Sequence, residues 1–200
     1  MISIGMFLRR GAGEAPLGAV AWRGPMLHRT VQQFLTDVHF GDLDILLLDM
    51  PPGTGDVAIS VGQLLPHAEV IVVTTPQRAA ADVAIRSGLV ARQTGQRLLG
   101  VVENMAPLTL PDGTVLDLFG SGGGALVAHE LQTDAEPVPL LGSIPLSPVL
   151  RASGDAGDVH RVTDASDPAA AAIGAVADAV LASGRSLSGR PLPMSVNRGD

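Results

Sequence analysis

The stretch Asp44-Ile-Leu-Leu-Leu-Asp49-Met-Pro-Pro-Gly53-Thr-Gly55-Asp56 decides how this chain is read. Residues 45–48 are a short unbroken apolar run, the pattern of a strand buried on both faces of a parallel sheet. Asp49 then places a carboxylate at the strand's carboxyl end, the edge where open α/β sheets hold their ligands. Pro51 and Pro52 have no N–H to give the ladder and stop the strand. Gly53 and Gly55 bring bare backbone N–H groups close to whatever Asp49 faces, and a helix opens at residue 57. Strand, carboxylate, glycine turn and helix start together have the build of a magnesium-phosphate sensor. The competing reading is a strand end closed by a Pro-Gly turn, with Asp56 capping the helix, and a lone motif does not choose between them.

Working outward, 200 residues with 46% hydrophobic content suit one domain with a sizeable core. A net charge of −7 offers no broad basic field, which argues against backbone-led nucleic-acid binding. No apolar run approaches the ~20 residues of a membrane span. Arg9 and Arg10 follow the N-terminal apolar residues instead of preceding them, against a signal peptide, so the expected location is cytoplasmic. Two absences bear on chemistry. Without cysteine the chain supplies no disulfide, thiolate metal site or thiol nucleophile. All 13 basic residues are arginine, so there is no Gly-Lys-Ser/Thr string to reach β- and γ-phosphates. Arginine's planar fork does not reproduce the reach of that lysine.

In chain order, residues 2–8 predict a strand and residues 9–17 a Gly/Pro/Ala-rich loop. Met26, Leu27, Val31, Phe34, Leu35 and Val38 recur at helical spacing over residues 26–40. Trp22 reads as a packing residue and Arg23 as a solvated or paired one, over base-stacking or nucleotide-binding roles. A helix over 57–65 is closed by Pro66, and residues 70–73 form a second buried strand ending in Thr74-Thr75-Pro76. Residues 77–94 form a long helix with Gly95 as its cap, and residues 98–102 a third strand ending at Glu103-Asn104-Met105. This β-α-β-α-β rhythm predicts a parallel sheet with right-handed crossovers. Pro111-Asp112-Gly113-Thr114 is a turn signal inside a small flap, and a fourth strand precedes Pro145. Ser121-Gly122-Gly123-Gly124 lacks a preceding buried strand and a lysine, so it reads as a flexible hinge at a helix start, not a phosphate loop. Residues 146–162 read as loop-rich, and residues 169–181 as a terminal helix entered through Asp167-Pro168. The five histidines are scattered without ligand spacing. Asn104, at a strand's carboxyl end, offers a donor and an acceptor that suit an adenine edge; spacing alone favours an Asx-turn there.

Taken whole, Asp49-Met-Pro-Pro-Gly-Thr-Gly-Asp56 resembles the second switch of the Mrp (ApbC) family of P-loop ATPases, iron–sulfur cluster carriers related to MinD and ParA. Trp22-Arg-Gly-Pro-Met26, Gln32-Gln-Phe-Leu35, Val101-Val-Glu-Asn-Met105, Phe119-Gly-Ser-Gly-Gly-Gly124 and Leu141-Gly-Ser-Ile-Pro-Leu146 agree with it. The resemblance runs from about residue 2 to about residue 173. It implies an α/β fold, a mostly parallel sheet flanked by helices of the MinD/ParA-like P-loop NTPase kind, N-terminally truncated. Residues 1–182 would be the C-terminal part of one ATPase domain with a flap at about 105–118, and residues 183–200 a flexible tail. The portion holding the phosphate loop would be missing, as if translation were taken to start too late. Asp49 would hold Mg²⁺ through a water, Gly53 and Gly55 would sense the γ-phosphate of ATP, and Asn104 and Pro145 would line adenine. The resemblance further implies ATP hydrolysis coupled to iron–sulfur cluster delivery, a homodimer and iron–sulfur acceptor proteins, with no nucleic acid or membrane partner. Many relatives carry a Cys-x-x-Cys pair in the flap; this flap has no cysteine, so no iron–sulfur ligand is assigned. The fragment is expected not to turn over ATP alone. A non-catalytic half-domain pairing with a full-length relative and a ParA/MinD-type positioning ATPase are the alternatives.

Overall fold

The computed structural model describes residues 2–3, 24–51, 53–158, 164 and 166–183. In chain order these form α1 (Gly24–Thr36), α2 (Asp56–Leu64), β1 (Glu69–Thr74), α3 (Arg78–Gln93), β2 (Arg97–Ala106), β3 (Leu108–Thr109), β4 (Val115–Leu116), α4 (Gly123–Leu131), β5 (Leu140–Pro145), α5 (Pro148–Ala156) and α6 (Pro168–Ser183). Strand β2 is the centre of a parallel sheet ordered β1-β2-β5, as the alternation of strands and helices predicts. Six consecutive residues of β2, Leu98 to Glu103, are buried, because helices cover both faces of a parallel strand. On one face Val72 and Val101 meet Ala81, Ala84, Val127 and Leu131 of α3 and α4, forming the main core. On the other face α6 lies along β5, close enough that a Cβ on Gly142 would come within 2.7 Å of Val176.

Local stop and start signals act where the sequence places them. Gly95 adopts φ +83°, and its N–H donates to Arg92 O at 2.9 Å while Gln96 N–H donates to Ala91 O at 3.0 Å. Those paired bonds end α3 by a left-handed glycine turn. Asp167 accepts from Ala169 N–H at 2.8 Å and Ala170 N–H at 3.1 Å, with Pro168 opening α6. The flap is a short antiparallel hairpin, Leu108 opposite Leu116 and Thr109 opposite Val115, closed by the Pro111–Thr114 turn.

Three expectations need correction. Residues 45–48 do not form the strand that their apolar run predicts: they belong to no strand among the described residues, and Leu47 is 80% exposed. An apolar run specifies burial, whereas a strand exists only through a neighbour's hydrogen bonds. Strand β1, at the sheet's edge, pairs with β2 alone among the described residues. Residues 146–162 are not all loop. Helix α5 starts at Ser147, whose Oγ accepts Leu150 N–H at 3.0 Å, and ends at Gly157 with φ +67°. Gly123 and Gly124 are not a hinge: a Cβ on Gly123 would meet Pro76 O at 2.7 Å, and one on Gly124 would meet Glu103 Cβ at 2.7 Å. They are small because the backbone of α4 approaches the sheet closely. Of the strand expected over 2–8 only residues 2 and 3 are described, and Trp22, Arg23, Pro52 and residues 184–200 of the expected tail lie outside the described residues.

Candidate functional site

Every parallel strand of this sheet ends at one edge, where Thr74-Thr75, Glu103-Asn104-Met105 and Ser143-Ile144-Pro145 emerge. Asn104 stands opposite Ile144 and Ala106 opposite Pro145, so the register brings Asn104 and Pro145 together at the carboxyl ends of neighbouring strands. Asn104 Oδ1 accepts the N–H of the next residue, Met105, at 2.8 Å, one residue short of the partner an Asx-turn would take. That bond uses one lone pair of the amide oxygen. Among the described residues the two Nδ2 hydrogens have no protein acceptor, so donor and acceptor capacity both remain for a ligand. Met105 takes φ +58°, a left-handed conformation that costs a non-glycine residue about 1–2 kcal/mol. The strain lies at the register shift between Asn104 and Ala106, within the pairing of β2 with β5.

The switch segment is placed differently. Asp49 is exposed and makes no hydrogen bond or ion pair among the described residues. Its carboxylate is therefore available to a hydrated cation. Gly53 has φ +88°, reserved for glycine, and Gly55 is the N-cap of α2 without a side-chain cap. Asp56 is the first helical residue, not the cap, and its charge suits the positive end of the helix. No hydrogen bond among the described residues joins residues 49–56 to Asn104 or Pro145. Helix starts at this edge differ in how their N–H groups are satisfied: α4 is met by Glu103, α5 by Ser147 and α6 by Asp167. Helices α2 and α3 start without a side-chain cap, leaving first-turn N–H groups open.

Glu103 is the residue that sequence reasoning passed over. It is 5% exposed, and its Oε2 accepts Gly124 N–H at 2.7 Å while Oε1 accepts the Ser143 hydroxyl at 3.3 Å. The signal was present: a glutamate directly continuing the apolar run Leu98-Leu-Gly-Val-Val102 is a carboxylate that the fold must bury and pair.

By their chemistry Asn104 and Pro145 suit a base, and the uncapped glycine start of α2 suits a phosphate. The lysine that would grip the phosphates is missing from the sequence. They do not suit a thiolate-bound iron–sulfur cluster, since the chain has no cysteine. Among the described residues no three His, Asp or Glu side chains gather as metal ligands.

A parallel sheet flanked by helices, with the Asn104 amide and the uncapped start of α3 at its carboxyl edge, defines an open α/β domain of the kind that holds ligands at that edge. Within that class the chain belongs to the ParA-type family described as NUBPL iron-transfer P-loop NTPases, whose model matches residues 1–181. It is 55% identical to iron-sulfur cluster carrier proteins of Mycobacterium bovis and Mycobacterium tuberculosis, over 99% of this chain and 51% of theirs. The corresponding protein of Synechocystis sp. is 42% identical over 88% of this chain and 48% of its own length. The chain thus spans about half the length of the curated relatives it matches. Among solved structures, a nucleotide-binding protein from Archaeoglobus fulgidus in complex with ADP is similar with TM-score 0.56 and 34% identity, covering 66% of this chain and 53% of that one. The cell division protein MinD of Aquifex aeolicus shares the fold at TM-score 0.54 and 20% identity, over 86% of this chain and 64% of that one. No helix among the described residues is long and apolar enough to cross a membrane.

Proposed function

We propose that this chain is the base-binding and second-switch portion of an Mrp-type ATPase that serves iron–sulfur cluster delivery. The observation that carries the reading is the pairing of Asn104, with unused amide donors, and Pro145 on neighbouring strands at the ligand edge. Family membership and the ADP-bound relative support it. Asn104 would give its Nδ2 hydrogens to ring nitrogens of adenine, with Pro145 against the face of the base. The backbone from Gly53 to Gly55 would meet the γ-phosphate, and Asp49 would hold Mg²⁺ through a water. Bound Mg²⁺ would neutralise charge on the phosphates. The switch segment would read whether the γ-phosphate is present and pass that state to α2. A cytoplasmic homodimer that hands clusters to acceptor proteins completes the proposal; cluster ligands would have to come from outside these 200 residues.

Positioning and electrostatic stabilisation are most of phosphoryl-transfer catalysis, and this chain has no lysine-bearing phosphate loop. The isolated chain is therefore expected neither to hydrolyse ATP nor to bind it tightly. A radiolabelled ATP assay tests this directly. Turnover at background with and without magnesium is the expected result, and magnesium-dependent turnover well above background would refute it. The exposed apolar run Ile45 to Leu48 favours a second reading, a half-domain that pairs with a full-length relative. Co-purification from native cells with a second chain holding a Gly-Lys-Ser/Thr loop is the result that would favour it. A positioning ATPase of the MinD kind gains nothing from the −7 charge, which offers no basic surface for DNA or anionic lipid.

A further inference from the structure

The adenine reading leaves open what holds Asn104 where a base could meet it. We infer that Glu103 is the positioning residue of the base site, acting through the backbone it ties together and not by touching the ligand. This inference rests on the reading of Asn104 given above.

Glu103 stands at the point where three elements meet. Within the sheet it faces Thr74 of β1 and Ser143 of β5. Its Oε2 takes Gly124 N–H at 2.7 Å, within the first turn of α4, where the helix's positive end adds to a charge-assisted bond. Its Oε1 takes the Ser143 hydroxyl at 3.3 Å, one residue before Ile144, the partner of Asn104. Alternation along β2 sends Glu103 to the α4 face and Asn104 to the opposite one. The glutamate therefore cannot compete for the ligand, yet any movement of its Cα carries Asn104 with it. The glycines of α4 complete the device. A Cβ on Gly124 would meet Leu140 at 2.9 Å as well as Glu103, so only glycine lets the helix start close on the carboxylate. Beyond this clamp β2 shifts register against β5 at Met105, φ +58°, and strained backbone of that kind persists only where its surroundings over-determine it. Glu103 anchors the strand two residues before that irregularity.

Adenosine is the probe, because it has the base and no phosphates and so needs no phosphate loop. It is titrated into the full chain, and the Asn104 side-chain amide and the Gly124 backbone amide are followed by nitrogen-15 NMR. In the unsubstituted chain a saturable shift of the Asn104 resonances is expected. Glu103→Ala should weaken adenosine by about tenfold, the worth of one hydrogen bond to a charged group. Glu103→Gln keeps an acceptor for Gly124 N–H and a donor for Ser143, and should restore affinity to within about threefold. A role confined to stability would instead lower the melting temperature and leave adenosine affinity unchanged in the folded variants. Where the alanine variant does not fold, Glu103→Asp withdraws the charge by one methylene and is expected to weaken adenosine by about threefold. Unchanged affinity in a folded alanine or aspartate variant whose Gly124 resonance has moved overturns the positioning role and leaves the adenine reading intact. No shift at Asn104 in the unsubstituted chain at any adenosine concentration overturns both.

Discussion

Single residues in this chain act as junctions. Ser147 Oγ accepts Leu150 N–H at 3.0 Å and donates to Asp167 Oδ2 at 2.8 Å, while Asp167 Oδ1 accepts two N–H groups of α6. The starts of α5 and α6 are thus fastened to each other directly behind Pro145. Asp167→Ala should lower stability by about 1–2 kcal/mol, since it removes a cap and strands a hydroxyl. Urea unfolding checks this, and an unchanged midpoint would count against the shared junction. Asp167-Pro168 was legible as a helix entry because Pro tolerates the first helical position. Its link to Ser147, 20 residues earlier, was not, because a side-chain bond over that separation has no local pattern. Glu103 shows the same division. Its burial follows from its place in an apolar run, but Gly124 and Ser143 are partners that only the folded chain supplies.

At the scale of elements, helical spacing of alanine and apolar residues was readable, whereas α5, capped at both ends but interrupted by weak helix formers, was not. Helix α3 has Ala-rich helical spacing and a glycine stop, so both its existence and its end were foreseeable. Helix α5 runs through Ser153-Gly154-Asp155, weak helix formers that local propensity favours in turns, and its caps and packing override them. The flap hairpin is marginal by length, with two residues per strand, so its turn chemistry counts for more than in a longer hairpin. Thr114 donates its N–H to Asp112 Oδ1 at 2.9 Å, and this backbone bond, with the Thr114 side chain, holds the Asp112 carboxyl below its ordinary value. A carboxylate with a lowered folded pKa contributes order that is fully present above the ordinary aspartate range. That order is lost as pH falls through the lowered value. The Thr114 amide resonance should therefore move in acid, and Asp112→Asn should flatten that titration. A Thr114 resonance that follows the same acid profile in both proteins would show that the turn does not depend on the charge.

Across the whole molecule the described residues divide into a well-packed half and an exposed one. The sheet with α3, α4 and α6 buries its apolar faces, whereas Leu43, residues 45–48 and, on β1, Val73 at 60% exposure leave apolar surface uncovered among the described residues. Exposed apolar side chains of that kind, with a strand edge unpaired among the described residues, favour association. The isolated chain should sediment as concentration-dependent oligomers, and Leu47→Asp with Val73→Thr should shift it toward monomer. A strictly monomeric unsubstituted chain would sink this expectation. What the sequence by itself determined is the class of fold and the family, because alternating helical and buried-strand patterns, glycine stops and the Asp49–Asp56 string are local in the chain. Local residues also placed Asn104 at a strand end. Only tertiary structure decided that residues 45–48 stand unpaired, that Asn104 and Pro145 share an edge, and that Glu103 ties α4 to two strands. Each of those depends on which strand lies beside which, and hydrogen-bond partners far apart in the chain leave no periodic trace in it.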